Sequence, residues 1–157
     1  MSELSEQDKK AIDSEYYRYT IKRLLEVYND YLQECRQTED LIEKLEELLD
    51  KIDYEDITDN VNFRETEHWR YIACWHDNRI CAVKVEKEDT DPIKLTNFYE
   101  HNFIYMKQMA TDTLLDFVEY LPRFLDYMAS DIMLNTDKLR IAERKIEYML
   151  LNQDEGT

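Results

Sequence analysis

Three groups of residues have types and spacings that could carry chemistry. Cys74, His76, Cys81 and His101 supply the sulfur and imidazole donors of a zinc site. Structural zinc prefers short C-x₂₋₄-C knuckles, whereas the spacing here is C-x-H-x₄-C, so buried cysteines near surface histidines account for the pattern better. Glu65-x-x-His68 matches half of a di-iron helix motif, but that chemistry needs a second copy and two further glutamates, and the sequence holds no second copy. Glu43-x-x-Glu46 followed by Asp56-x-x-Asp59 offers paired carboxylates for Mg²⁺. His68, His76 and His101 sit in no recognisable Ser or Cys setting for nucleophilic catalysis. These patterns assign no catalytic residue, no metal and no cofactor.

The third group bears on a known class. All-α nucleotide pyrophosphatases resemble this chain in helicity and acidity, and their signature is an E-x-x-E pair followed over a dozen residues later by E-x-x-D. Here the second pair begins with Asp and stands only ten residues after Glu46, and no basic loop accompanies it to hold phosphates. A Mg²⁺-dependent phosphohydrolase is therefore the third-ranked function.

The acidic stretch is the most specific feature. Between Thr38 and Asp59 lie ten acids (Glu39, Asp40, Glu43, Glu46, Glu47, Asp50, Asp53, Glu55, Asp56 and Asp59), opposed only by Lys44 and Lys51. The resulting −8 is half of the chain's net −16. Glu39, Glu43, Glu46, Asp50 and Asp53 form a four-three row beside the apolar seam of a helix. Seven acids from residue 39 to 53 span about 21 Å, one per about 3 Å, close to the ~3.4 Å charge spacing of a DNA strand. Such a surface suits docking on the basic groove of a nucleic-acid-processing protein. The plainer account is a solvated face that keeps a coiled coil in solution. Twelve tyrosines are the second clue: Tyr16, Tyr17, Tyr19, Tyr28 and Tyr31 crowd both sides of the first seam, and tyrosine is favoured at protein interfaces. Tyr16 and Tyr19 join the candidate partner-binding set on this ground.

The elements that must position these residues read as long helices. The chain has 157 residues with one glycine, Gly156, and two prolines, which excludes glycine-rich phosphate loops and nucleophile elbows. Residues 6–52 lack both, and Tyr17, Ile21, Leu24, Tyr28, Tyr31, Cys35, Thr38, Ile42, Leu45, Leu49 and Ile52 alternate spacings of four and three. A second such row runs through Leu114, Val118, Leu121, Leu125, Met128, Ile132, Asn135, Leu139, Ala142, Ile146 and Met149. Each seam has one polar break, Thr38 and Asn135, and a parallel pairing would align them while bringing Lys138, Arg140, Arg144 and Lys145 near Asp40, Glu43, Glu46 and Glu47. The expected fold is a mainly α, coiled-coil-like, up-down-up bundle forming a single domain over 1–157.

Within it, Asp53–Asn60 reads as a polar turn after the first helix, residues 53–96 as a variable connection with a surface stretch at Glu86–Pro92, and 97–152 as a helical region. Residues 153–157 read as a disordered tail. Asn97 with Glu100 resembles a capping box opening a helix with the stripe Tyr99, Phe103, Met106 and Ala110. Pro122 predicts a kink or a fresh helix start, and Thr136 is placed to cap a further helix from Asp137. Residues 67–86 fit two descriptions: a small β-hairpin around Asp77-Asn78, with Cys74 opposite Cys81 and Trp75 opposite Ile80, or a buried helix using Trp69, Ile72, Ala73, Ile80 and Val83.

A net charge of −16 argues against direct nucleic-acid or anionic-membrane binding. The first residues show no signal-peptide pattern, no apolar run approaches the ~20 residues of a bilayer span, and three dispersed cysteines suit a reduced cytoplasm. The sequence thus predicts a non-catalytic, cytoplasmic protein that binds a basic, nucleic-acid-processing protein partner, as an inhibitor or regulator. In charge and size alone it resembles small acidic phage-type inhibitors. The alternative is a scaffolding bundle that self-assembles through its seams, a homodimer being the simplest case.

Overall fold

In a computed structural model, residues 5–87 and 102–155 are described, and the chain divides into two compact units, Met1–Glu47 and Leu48–Thr157. The first unit is helical. Helix α1 (Glu6–Leu49) starts at Ser5, whose Oγ accepts the backbone N–H of Asp8 at 3.1 Å and so satisfies one of the orphan donors of the first turn. Every side chain described from Ser5 to Tyr31 is exposed, whereas Leu32, Cys35, Thr38, Leu45 and Leu49 are half-buried and Ile42 is buried. Burial thus selects the four-three seam in the C-terminal half of α1 and leaves it bare in the N-terminal half. Thr38, the polar break, donates its hydroxyl to the Glu34 carbonyl of its own helix at 2.8 Å.

The second unit overturns the bundle. It holds a four-stranded antiparallel sheet in the order β1 (Ile57–Glu65), β2 (Trp69–His76), β3 (Arg79–Glu86) and β4 (Phe103–Tyr105). A short 3₁₀ turn (Met106–Gln108) leads from β4 into the one long helix of this unit, α2 (Thr111–Glu155). Among the described residues the order along the chain is long helix, β-meander, long helix, a mixed architecture that is neither all-α nor up-down-up.

Residues 67–86 form the hairpin, with Cys74 paired to Cys81 and Trp75 to Ile80. Its turn dispenses with glycine: Asp77 and Asn78 both take positive φ, 54° and 57°, the two residue types besides glycine that best tolerate the left-handed region. The pleat sends Ala73, Trp75, Ile80 and Ala82 to one face and Cys74, Cys81 and Val83 to the other, and all seven are buried. A hairpin buried on both faces reads as a continuous apolar run, and for that reason its sequence also fits a buried helix.

Several expected boundaries move. Ile57–Asn60 lies in β1 rather than in a turn, and Phe103 and Met106 belong to β4 and the 3₁₀ turn rather than to a helix. The expected capping box at Asn97–Glu100, Tyr99 of its stripe and most of the Glu86–Pro92 stretch lie outside the described residues. Helix α2 runs unbroken through Pro122 and Asn135 to Glu155, so Thr136 caps nothing; its hydroxyl donates to the Ile132 carbonyl at 2.8 Å. Residues 153–155, expected to be tail, are helical.

The inward face of α2 also differs from the predicted seam. Thr113, Phe117, Leu121, Phe124 and Met128 are buried, while Val118 is 48% exposed. The helix lies against β1 and β2. The ring of Phe117 meets Phe63 edge-on at 5.2 Å. A sheet offers a broader face than a second helix, and the larger Phe117 and Phe124 bury more surface there than Val118 and Leu125 would. Beyond Met128, Asp131 accepts the hydroxyl of Tyr54 at 3.1 Å, and Asn135 donates to that same hydroxyl oxygen. From Thr136 to Gln153 every side chain is exposed.

Candidate partner-docking surface

On α1, Glu39, Asp40, Glu43 and Glu47 are exposed and Glu46 is half-buried beside the seam residues Ile42 and Leu45. A helix rises 1.5 Å per residue, so these five carboxylates occupy about 12 Å of its axis, one per about 3 Å. Lys44 is the only cation among residues 39–47. Tyr16 and Tyr19 also project to solvent from α1, 65% and 67% exposed, in its N-terminal half. They are twenty-three and twenty residues before Glu39, about 30–35 Å away along the axis, so they do not join the acids in one patch.

The remaining acids of the stretch belong to the second unit and are not equivalent. Asp50 follows the end of α1 in an exposed turn, and Asp53 is exposed on the extended segment before β1. Asp56 is 64% exposed at its side chain and is tied down: its Oδ2 lies 2.8 Å from Nδ1 of His76, whose ring stacks on Phe103 at 3.9 Å. Asp59 is no surface group at all. It is buried, accepts the backbone N–H of Val61 at 3.3 Å, and accepts the hydroxyl of Tyr120. Burial, then the bond to Asp59, pushes the Tyr120 phenol up to about 12. Sequence spacing alone could not separate Asp59 from its exposed neighbours, because strand alternation, not helix periodicity, decides its direction.

The groups considered for metal chemistry are placed otherwise. Cys74 and Cys81 bring their sulfurs to 2.9 Å inside the sheet, packed with Val83, Val85, Phe103 and Tyr105. Burial, then the bond to Cys81, pushes the Cys74 thiol well up, the reverse of what a thiolate ligand needs. His76 is paired with Asp56, and His101 lies outside the described residues. Glu65 ends a strand, where it neighbours Arg70 at 3.5 Å and Lys87 at 3.8 Å, so Glu65-x-x-His68 does not share a helix face. Asp56-x-x-Asp59 likewise runs into a strand, with Asp59 buried. Among the described residues no three His, Cys, Asp or Glu side chains converge as a cation site, and no helix is long and apolar enough to cross a membrane.

Sequence reasoning missed the polar ties between sheet and helix: Arg64 to Asp116 at 2.5 Å, Tyr120 to Asp59, and Tyr54 to Asp131 and Asn135. Their separations exceed fifty residues, and no local pattern announces them. The chain matches no protein-family description, no curated protein and no solved structure.

Proposed function

We propose that this chain is a non-catalytic, protein-binding regulator that docks the acidic end of α1 on a basic surface of its partner. The observation that carries the reading is the exposure of Glu39, Asp40, Glu43 and Glu47 along one short length of rigid helix. A helix holds its carboxylates at fixed intervals, here close to those of nucleic-acid phosphates, so a groove lined with Lys and Arg gains charge complementarity with little reordering. The field of a chain at −16 adds long-range steering toward a cationic partner.

The test is capture of a basic, nucleic-acid-binding protein by the full chain, followed by competition with the nucleic acid that protein binds. Capture should weaken as salt rises and should disappear in the triple variant Glu39→Lys, Glu43→Lys, Glu47→Lys. Unchanged capture by that variant, or capture that coexists with bound nucleic acid, overturns the proposal. A second reading, assembly through the seams, is favoured by the bare N-terminal half of α1.

A further inference from the structure

Cys74 and Cys81 are partners in the register of β2 and β3, and the pleat sends both side chains to one face of the sheet. Residues directly opposite in an antiparallel pair stand about 4.5–5.5 Å apart at Cα. A disulfide needs about 4.4–6.8 Å between its Cα atoms, so the paired backbone already meets its requirement. The sulfurs lie 2.9 Å apart, and about 0.9 Å of further approach brings them to the length of a covalent S–S bond.

The other polar contacts of the two thiols are long. Cys74 Sγ lies 3.5 Å from the Cys81 carbonyl oxygen, and Cys81 Sγ lies 3.7 Å from the Cys74 carbonyl oxygen. Val83, Val85, Phe103 and Tyr105 pack with the pair, and both cysteines are almost unexposed. Apolar packing alone accounts for one buried cysteine, which behaves as a small hydrophobe. It does not require that two sulfurs meet.

We infer that Cys74 and Cys81 are a redox latch, which closes to a disulfide and fastens β2 to β3 when the chain meets a low-molecular-weight disulfide such as oxidised glutathione. The reaction starts from a locally opened sheet, because the closed sheet shields both sulfurs. One uncovered thiol loses its proton and attacks a sulfur of the oxidant, giving a mixed disulfide and a glutathione thiolate that takes up a proton. The second cysteine then loses its proton and attacks the protein sulfur of that mixed disulfide, displacing the second glutathione. Two protein thiols are oxidised and one glutathione disulfide is reduced to two thiols. The strand register makes the second step intramolecular, so it outruns a second encounter with oxidant. Burial keeps the Cys74 thiol protonated, so the latch closes slowly, and the same packing shelters the closed bond from reductant.

The experiment incubates the native full chain with excess oxidised glutathione, quenches it with acid and maps the thiols by mass spectrometry, in wild type and in Cys35→Ser. That variant removes the third thiol, on α1, and leaves the sequence of the sheet intact. Cys35→Ser should lose the mass of two hydrogen atoms. Trypsin cuts after Arg70, Arg79 and Lys84, so in both proteins the bond should link the peptide 71–79 to the peptide 80–84. Hydrogen exchange of the β2 and β3 amides should slow by about 30-fold or more in the oxidised chain, and dithiothreitol should restore it. Cysteines 74 and 81 that stay reduced overturn the inference. So does a bond that includes Cys35, a reaction that stops at a glutathione adduct on Cys74 or Cys81, or an oxidised chain whose strand amides exchange no more slowly.

Discussion

The hydroxyl of Tyr120, on α2, donates to the carboxylate of Asp59, on β1, and joins helix to sheet at a buried acid. The ring of Tyr120 stacks on Phe63 of the same strand, with centroids 6.0 Å apart, so apolar and polar contacts share one side chain. Tyr120→Phe keeps the ring and removes the donor. Asp59 then retains only the Val61 N–H, and a buried acceptor deprived of its partner costs about 1–3 kcal/mol. Urea unfolding of the two proteins measures the loss, and an equal midpoint would show that the bond contributes nothing.

The same pair sets an alkaline limit. An unfolded chain ionises its tyrosines near pH 10, while Tyr120 in the folded protein holds its proton to about 12. Its folded value is raised, so its contribution is full below pH 10 and drains away as pH climbs from 10 to about 12, where the unfolded state has already released the proton. Ultraviolet titration of the folded protein should show a late-ionising phenol, and Tyr120→Phe should remove it. A titration identical in the two proteins would assign the late phenol elsewhere.

The hairpin turn gives a prediction of opposite sign. Asp77 and Asn78 occupy the left-handed region without glycine, at φ 54° and 57°. Glycine pays no Cβ penalty there, and Asp-Gly is the preferred type I′ pair. Asn78→Gly should therefore stabilise the chain by about 0.5–1 kcal/mol, read as a higher melting temperature. A lower one would mean that the Asn78 side chain holds the turn by a bond that outweighs the backbone strain.

How much of this was legible beforehand depended on where periodicity is local. The heptad spacing located α1 to within three residues of its C-terminal end, and Ile42 and its half-buried neighbours fall on the predicted seam. The hairpin register followed from the two-residue Asp77-Asn78 loop. What stayed hidden was the meander. β1 is a bulged edge strand of mostly polar residues, with register shifts on either side of Asn62, and β4 is three residues long, so neither shows clean alternation. The four-three acidic row ends at Asp53, but the stretch of ten acids runs on to Asp59 through residues expected to form a polar turn, and there the chain enters a strand that turns Asp59 inward. At Pro122 no fresh helix starts: the proline is exposed and α2 continues past it, the lost bond to the Val118 carbonyl falling on the outward side of the helix.

That difference of face can be measured directly. Phe117 is fully buried against Phe63, while Val118, a member of the predicted seam, is 48% exposed. Phe117→Ala should cost about 3–5 kcal/mol through lost transfer energy and the cavity left behind. Val118→Ala should stay within about 0.5 kcal/mol, since the surface lost is half in water and alanine favours helix. Comparable losses at the two positions would rule out the packing of α2 on the sheet.

Cysteine labelling reports whether the sheet opens as one body. Cys35 is half-buried on α1, whereas Cys74 and Cys81 face each other across β2 and β3 with almost no exposure. Burial raises the Cys74 thiol and withdraws the thiolate that a disulfide reagent requires. An aromatic disulfide reagent should therefore modify one thiol quickly in the native protein. The other two should follow slowly and at a single shared rate, because the same separation of β2 from β3 uncovers both. Denaturant should raise that shared rate until all three thiols react together. Three comparable rates in the native protein would show that the sulfurs at 2.9 Å are not enclosed by the sheet.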